Sequence, residues 1–480
     1  MVADVQDRHG NNADTDAMQQ IFAAQKTAYR QSPYPDAEQR IELISRIRPM
    51  LLNHQNALVE ALNKDFTTRA ADETRMAEIM VTLEGLKYTI KQLRKWMKPQ
   101  KRSVSALSWP GKAWVEYQPL GVVGIMVPWN YPIQLAVVPL ITALAAGNRV
   151  MIKMSEATPQ TSALLQTLIA EIFPEDQVAV INGEVDVAQA FASLPFDHLL
   201  FTGSTSVGKH IMRAAAANLT PVTLELGGKS PCIIGQDYPM QEAAERIALG
   251  KCLNAGQTCV APDYVLCPES RVQEFVNAWK TQITRSYPSI RNNPDFTAIV
   301  NPRQYKRLQG YLTDAREKGA EIIEINPAGE DLTGTQKMPH TLVLNVTDTM
   351  QIAQDEIFGP LMMVLPYTHL DDAIEYVNER PRPLALYYFD WNQHHCERVL
   401  KNTHSGGVCL NDTVSHVGVD DLPFGGVGDS GMGAYHGPEG FRTFSQAKGI
   451  YRKGKFNASR YILPPYGRIV HRLIRKHFLT

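Results

Sequence analysis

Cysteine is scarce in this chain: 6 of 480 residues, irregularly spaced, too few for a disulfide scaffold. Neither sign of charge dominates, since 48 Lys+Arg against 49 Asp+Glu leave a formal net charge of −1. A dedicated nucleic-acid binder draws its affinity from a basic excess, so that class is excluded, though a local basic patch is not. Long hydrophobic runs are also missing. The longest uncharged apolar stretch, Leu135 to Gly147, has thirteen residues and includes Pro139 and Thr142. A spanning helix needs ~20 apolar residues, so this reads as a buried helix. The opening MVADVQDRHGNNADTD is polar and has no apolar h-region. No secretory signal is therefore expected, and the thiols are expected reduced in a cytoplasmic protein. There is no internal repeat, and no second Cys or His stands at metal-ligand spacing, so a metal site is not expected.

What is present is enough for a large core. Hydrophobic residues make up 44% and charged residues 20% of 53.6 kDa. At ~150 residues per domain the length implies about three domains. Residues 1–20 read as a loose tail, and apolar residues recur at helical spacing from Glu38 to Leu62, with Pro49 a break or kink. Residues 74–97 also read as helix. Pro99, Pro110 and Gly111 punctuate a hairpin or strand excursion at 98–120. From Gly121, buried strand patterns (GVVGIMVP, NRVMIKM, QVAVING, HLLFTG) alternate with helical sequence, which predicts an α/β fold with a doubly wound, mostly parallel sheet. The tail at 468–479 places Arg468, Arg472, Arg475 and Lys476 among apolar residues. It is predicted as a basic amphipathic helix, suited to an anionic bilayer or, preferably, to docking on its own or a partner subunit.

Five short segments carry candidate chemistry. FTGSTSVG puts Gly203 and Gly208 between a strand and a helix, where free N–H groups attract anions, although an ordinary strand-to-helix turn looks the same. Lys153 and Glu156 of KMSE follow a strand, where a carboxylate suits a ribose hydroxyl; a solvated loop is the alternative. Of the cysteines, only Cys259 lies among small and polar residues (NAGQTCVAPD), the setting of a reactive thiol. Glu225 ends a strand before two glycines and reads either as a general base in a dry cleft or as a surface residue in a turn. Asn130, in PWNYP, is displayed rigidly and can donate to an oxyanion or cap a turn.

PWNYP, KMSE, FTGSTSVG, ELGGKSP, GQTCVAPD, EIFGP and LPFGGVGDSGMG occur in an order and spacing that resembles the aldehyde dehydrogenase superfamily, over roughly residues 30 to 450. APDYVLC, PLALY and GMGAYHG are similar to its class 3 branch. The resemblance implies two doubly wound, Rossmann-like domains and a small bridging β element. The NAD(P)-binding domain would take 1–97 and 121–224, the catalytic domain 225–410, and the bridging region 98–120 and 411–480. It implies Cys259 as nucleophile, Glu225 as general base and Asn130 as oxyanion donor. Lys153 and Glu156 would hold the adenine ribose, Gly203, Ser204 and Gly208 would lie by the pyrophosphate, and Glu356 and Phe358 would meet the nicotinamide end. Met154 stands where relatives commonly have proline, which is expected to loosen that loop.

The implied reaction is oxidation of an aldehyde to a carboxylic acid, with NAD preferred and NADP tolerated. The substrate would be aromatic or cinnamyl-type, such as coniferyl aldehyde, or medium-to-long aliphatic. A homodimer is implied. Three alternatives stay open: a fatty-aldehyde enzyme held at a membrane by its tail, a CoA-acylating enzyme, and a silent binding protein. Glu225 argues against the CoA-acylating enzyme, and the full set Cys259, Glu225 and Asn130 against the silent protein.

Overall fold

The computed structural model describes residues 3–105, 108–455 and 457–479. Two large sheets share the chain. In the first, Val222–Leu226, His198–Gly203, Val122–Met126, Arg149–Lys153 and Val178–Ile181 lie parallel in that spatial order, and Gly431–Met432 adds an antiparallel edge beside Val222–Leu226. The second has seven strands, in the order Glu321–Ile325, His340–Leu344, Leu361–Tyr367, Pro262–Pro268, Ser230–Ile234, Ala385–Phe389 and Gly407–Leu410. Only its first pair is antiparallel. The excursion expected at 98–120 forms Gln100–Arg102 and Lys112–Pro119, and the latter pairs along its whole length with Ser445–Arg452.

Strands buried on both faces explain the continuous apolar runs: every residue of Val122–Met126 and of Ser230–Ile234 is buried. The apolar stretch predicted as a buried helix is the helix Gln134–Ala145, buried on all sides. In the first sheet the chain winds outward in both directions from Val122–Met126, so the strand order reverses between Val122–Met126 and His198–Gly203. Ligands of open α/β sheets bind in the crevice at the carboxyl ends of the strands flanking such a reversal. The segments leaving those two strands are 127–130 and 203–205.

One expectation fails and one holds. Residues 1–20 are not a loose tail; from Ala3 they belong to a helix that runs to Gln31. Met18 and Phe22 bury against the outside of the first sheet, the Gln25 amide donates to Val150 O and Glu175 O, and Lys26 pairs with Asp197 at 2.8 Å. The break expected from Pro49 is present. It lies at Arg46, between Ala37–Ser45 and Ile47–Asp65: Pro49 has no N–H to donate to the Ser45 carbonyl four residues back, and its ring crowds that carbonyl. The basic tail is helical over Ile469–Phe478, and its Ile469, Leu473 and Phe478 stay exposed among the described residues. No helix among the described residues is long and apolar enough to cross a membrane.

Candidate active site

At the crevice lies a cavity of about 430 Å³, and Asn130, Gly203, Ser204, Glu225, Cys259, Glu356 and Phe358 all line it. The sequence spreads these over more than 200 positions. Lys153, Glu156 and Gly208 do not line this cavity.

Cys259 is delivered by an unusual turn. After the helix Met240–Cys252 the backbone passes through Asn254, Ala255 and Gly256, all with left-handed φ (51°, 51° and 73°). A Cβ on Gly256 would run into the carbonyl of Gly359, so glycine is required there. The strained turn is over-determined by side chains. Asn254 Nδ2 donates to Gln257 O (3.0 Å) and to Asn130 O (3.1 Å), and Gln257 Nε2 donates to Asn254 O and Ala298 O. Cys259 is half-buried; four of the other five thiols are fully buried and Cys252 half-buried. Burial first, then the Glu356 and Glu225 carboxyls, push its thiol up to about 12.

Glu225 ends Val222–Leu226 at 3% exposure, which rules out a surface turn. Neither carboxyl oxygen has a hydrogen-bond partner, and burial pushes its pKa well above the usual range. Asn130 is buried too. Its carbonyl accepts from Arg69 Nη1 (2.7 Å) and from Asn254, which fixes the backbone while the side chain faces the cavity. Arg69 is itself held by Glu78 at 3.3 Å, both without exposure, and Glu78 Oε2 also accepts from Ile133 N and Gln134 N at the start of the buried helix. Sequence reasoning missed Arg69, Glu78 and Asn254.

Opposite stands the loop 355–358. Glu356 is half-buried with its Oε1 buried and unpartnered, and its pKa is raised to about 8 by burial and by Asp263, against the Gly228 N–H, Lys229 and Arg307. A Cβ on Gly227 would collide with the Glu356 carboxyl, which accounts for the first glycine of ELGGKSP. Phe358 has φ 50° and meets Trp129 edge-on, ring centroids 5.2 Å apart. The cavity runs on to Ser204, the N-cap of the helix Thr205–Ala216. Gly208 serves packing: a Cβ there would press on Leu226, so it brings helix and strand close.

Lys153 is 2% exposed, and its Nζ donates to Met154 O (2.6 Å) and Gly183 O (2.7 Å). Burial lowers its pKa, while Glu156, Glu184 and Asp186 oppose that. Met154 does not loosen the loop. Its N–H donates to Ile181 O at 3.1 Å, a bond proline cannot make, and its side chain is buried in the core. Among the described residues no group of three or more His, Cys, Asp or Glu is placed to hold a metal.

The profile of the "Aldehyde dehydrogenase family" matches residues 5–450. The chain belongs to that family. It is 58% identical over 479 residues to a "Probable coniferyl aldehyde dehydrogenase" of Pseudomonas aeruginosa, covering 100% of both chains. Among solved structures it is similar to the "Substrate bound state of Staphylococcus Aureus AldH" (TM-score 0.90, 37% identity, 96% of this chain and 99% of that one). It is also similar to a Mycobacterium tuberculosis aldehyde dehydrogenase complexed with NAD+ (TM-score 0.83, 29% identity, 93% and 91%). The protein is thus an enzyme of aldehyde oxidation with the family's fold, and the two doubly wound sheets expected from the sequence are its frame.

Proposed function

We propose that this aldehyde dehydrogenase oxidises an aromatic, cinnamyl-type aldehyde to its acid with NAD, through a thioester on Cys259. The observation that carries the reading is the convergence of Cys259, Glu225, Asn130 and Glu356 on one cavity.

The residues present fit a nicotinamide dinucleotide. The unpartnered Glu356 Oε1 calls for a donor such as a ribose hydroxyl, and the N-terminus of Thr205–Ala216 faces the same crevice with its positive end. When bound, the nicotinamide supplies the hydride acceptor. The protein's own groups do the rest. The Cys259 thiol gives up its proton to solvent, its sulfur adds to the aldehyde carbon, and the Asn130 amide with a backbone N–H stabilises the oxyanion. Once the hydride has left, the acyl group is held as a thioester, and Glu225 takes a proton from the attacking water. Its raised pKa makes it a competent base, and its position beside Cys259 supports hydrolysis over transfer to CoA.

Trp129 and Tyr311 put aromatic rings on the cavity wall, which supports an aromatic substrate. The 58%-identical relative, named for coniferyl aldehyde, agrees. Around Lys153 stand Glu156, Glu184 and Asp186, three acids whose repulsion of a 2′-phosphate outweighs the attraction of one ammonium with two of its three donors bonded. NAD is therefore preferred. A homodimer fits the open edges of the Ser445–Arg452 and Gly407–Leu410 strands and the uncovered tail helix. NADH formation from coniferyl aldehyde and from long aliphatic aldehydes, with and without CoA, tests the reading. Cys259→Ala is expected to abolish oxidation. Full activity in that variant, or dependence on CoA, contradicts it.

A further inference from the structure

The helix Pro302–Glu317 presents Gln304, Arg307 and Tyr311 to the cavity, at spacings that put them on one face. Arg307 carries five N–H donors, and five acceptors surround it. Nε donates to Gln304 Oε1 (2.7 Å), and Nη1 to Tyr311 Oη (3.0 Å) and Glu356 O (3.2 Å). Nη2 donates to Ile357 O (2.8 Å) and Phe358 O (3.5 Å). Three successive carbonyls of the loop thus bind one guanidinium.

The loop needs this restraint. Phe358 is held at positive φ without being glycine, and Glu356 keeps a buried carboxyl oxygen unpartnered. Other bonds fix the far side: Lys229 Nζ donates to Ile352 O and Asp355 O (both 2.8 Å), and the Asp263 carboxylate accepts from Ile357 N (3.0 Å). Tyr311 Oη donates in turn to Asp355 Oδ2 (3.1 Å). On the cavity side the strained segment is held chiefly by Arg307. Its guanidinium has no donor to spare for a ligand, so a substrate-binding role does not fit it.

We infer that Arg307 is a positioning residue: it clamps the backbone of 356–358 so that Glu356 and Phe358 stand where the nicotinamide end of the cofactor must lie against Cys259. This rests on the function proposed above. A fixed charge with five aligned donors is what three carbonyls and two side chains require, and a lysine offers three donors without the planar fork.

Arg307→Gln and Arg307→Lys test the clamp in the full-length enzyme by three readouts. The first is NAD+ affinity by calorimetry without aldehyde. The second is the isotope effect on oxidation of aldehyde deuterated at C1. The third is alkylation of Cys259 by iodoacetamide without cofactor. With Arg307→Gln, NAD+ binding is expected to weaken ~10-fold and oxidation to slow by up to ~10²-fold, the scale of an ångström-sized misplacement. The isotope effect should rise, since a displaced nicotinamide makes hydride transfer limiting. Cofactor-free alkylation should change much less, and Arg307→Lys should recover part of the loss. Unchanged NAD+ affinity and isotope effect, or alkylation lost in step with oxidation, would overturn the clamp. If the unmutated enzyme forms no NADH from any aldehyde, the proposed function fails instead; the two failures are distinct.

Discussion

Two regions, the cavity around Cys259 and the Lys153 loop outside its lining, treat buried polar groups in opposite ways. Around Cys259, both Glu225 oxygens and Glu356 Oε1 are buried without partners, and three acids crowd together with their pKa values raised. In the Lys153 loop the buried ammonium is bonded to two carbonyls, and the carboxylate beside it, Glu156, is exposed. Leaving a buried polar group unpaired costs about 1–3 kcal/mol, and more for a charged one, so unpaired carboxyls are the costliest to keep. On the function proposed above, three unpaired carboxyl oxygens around one thiol mark the place where bonds change, and the bonded Lys153 a place where a ligand would only be held.

Breaking the reactive region should have the largest effect. Glu225→Gln removes the base for hydrolysis, and steady-state turnover is expected to fall ~10²–10⁴-fold while the first turnover survives as a burst of NADH. Rapid-mixing absorbance checks this. Loss of the burst along with turnover would place Glu225 before the oxidation. Asn130→Ala should cost ~10²–10³-fold in kcat, with little change in NAD+ affinity. A loss confined to KM would assign the amide to ground-state binding.

The third prediction concerns charge. Cys259 sits at about 12 partly because Glu356 repels its thiolate, so Glu356→Gln should lower that value. The pH dependence of iodoacetamide alkylation would then shift to lower pH. An unshifted curve would mean that burial alone sets the thiol. The smallest effect belongs to the holding region. Surface charge pairs contribute ~0.2–1 kcal/mol, so Glu156→Gln with Asp186→Asn should move the NADP/NAD ratio of kcat/KM by only a few-fold, toward NADP. A larger swing would show that these acids are less screened than their exposure implies.

How much of this was legible in sequence depended on where each residue's partner lies. Cys259, Glu225 and Asn130 stand at strand ends or turns marked by glycine and proline within a few positions, and local chemistry pointed to them. Arg69 and Arg307 carried no such mark. Their partners are backbone carbonyls 61 and about 50 positions away, which follow no period and require no residue type. The strand–helix alternation was readable because parallel strands are apolar throughout. The helix Ala3–Gln31 was not, because a polar segment with few anchors resembles a tail until Gln25 and Lys26 find partners more than a hundred residues on. Lys153 and Glu156 drew notice for their charge, but the lysine ammonium turned out to be committed to the loop's own carbonyls.

The central claim is that Cys259 carries the acyl group between oxidation and hydrolysis. The most direct measurement is the intact mass of Glu225→Gln enzyme, quenched in acid seconds after mixing with coniferyl aldehyde and NAD+. An added acyl mass that maps to the Cys259 peptide, absent without NAD+, is the predicted result. NADH released with no mass added to that peptide would contradict the account.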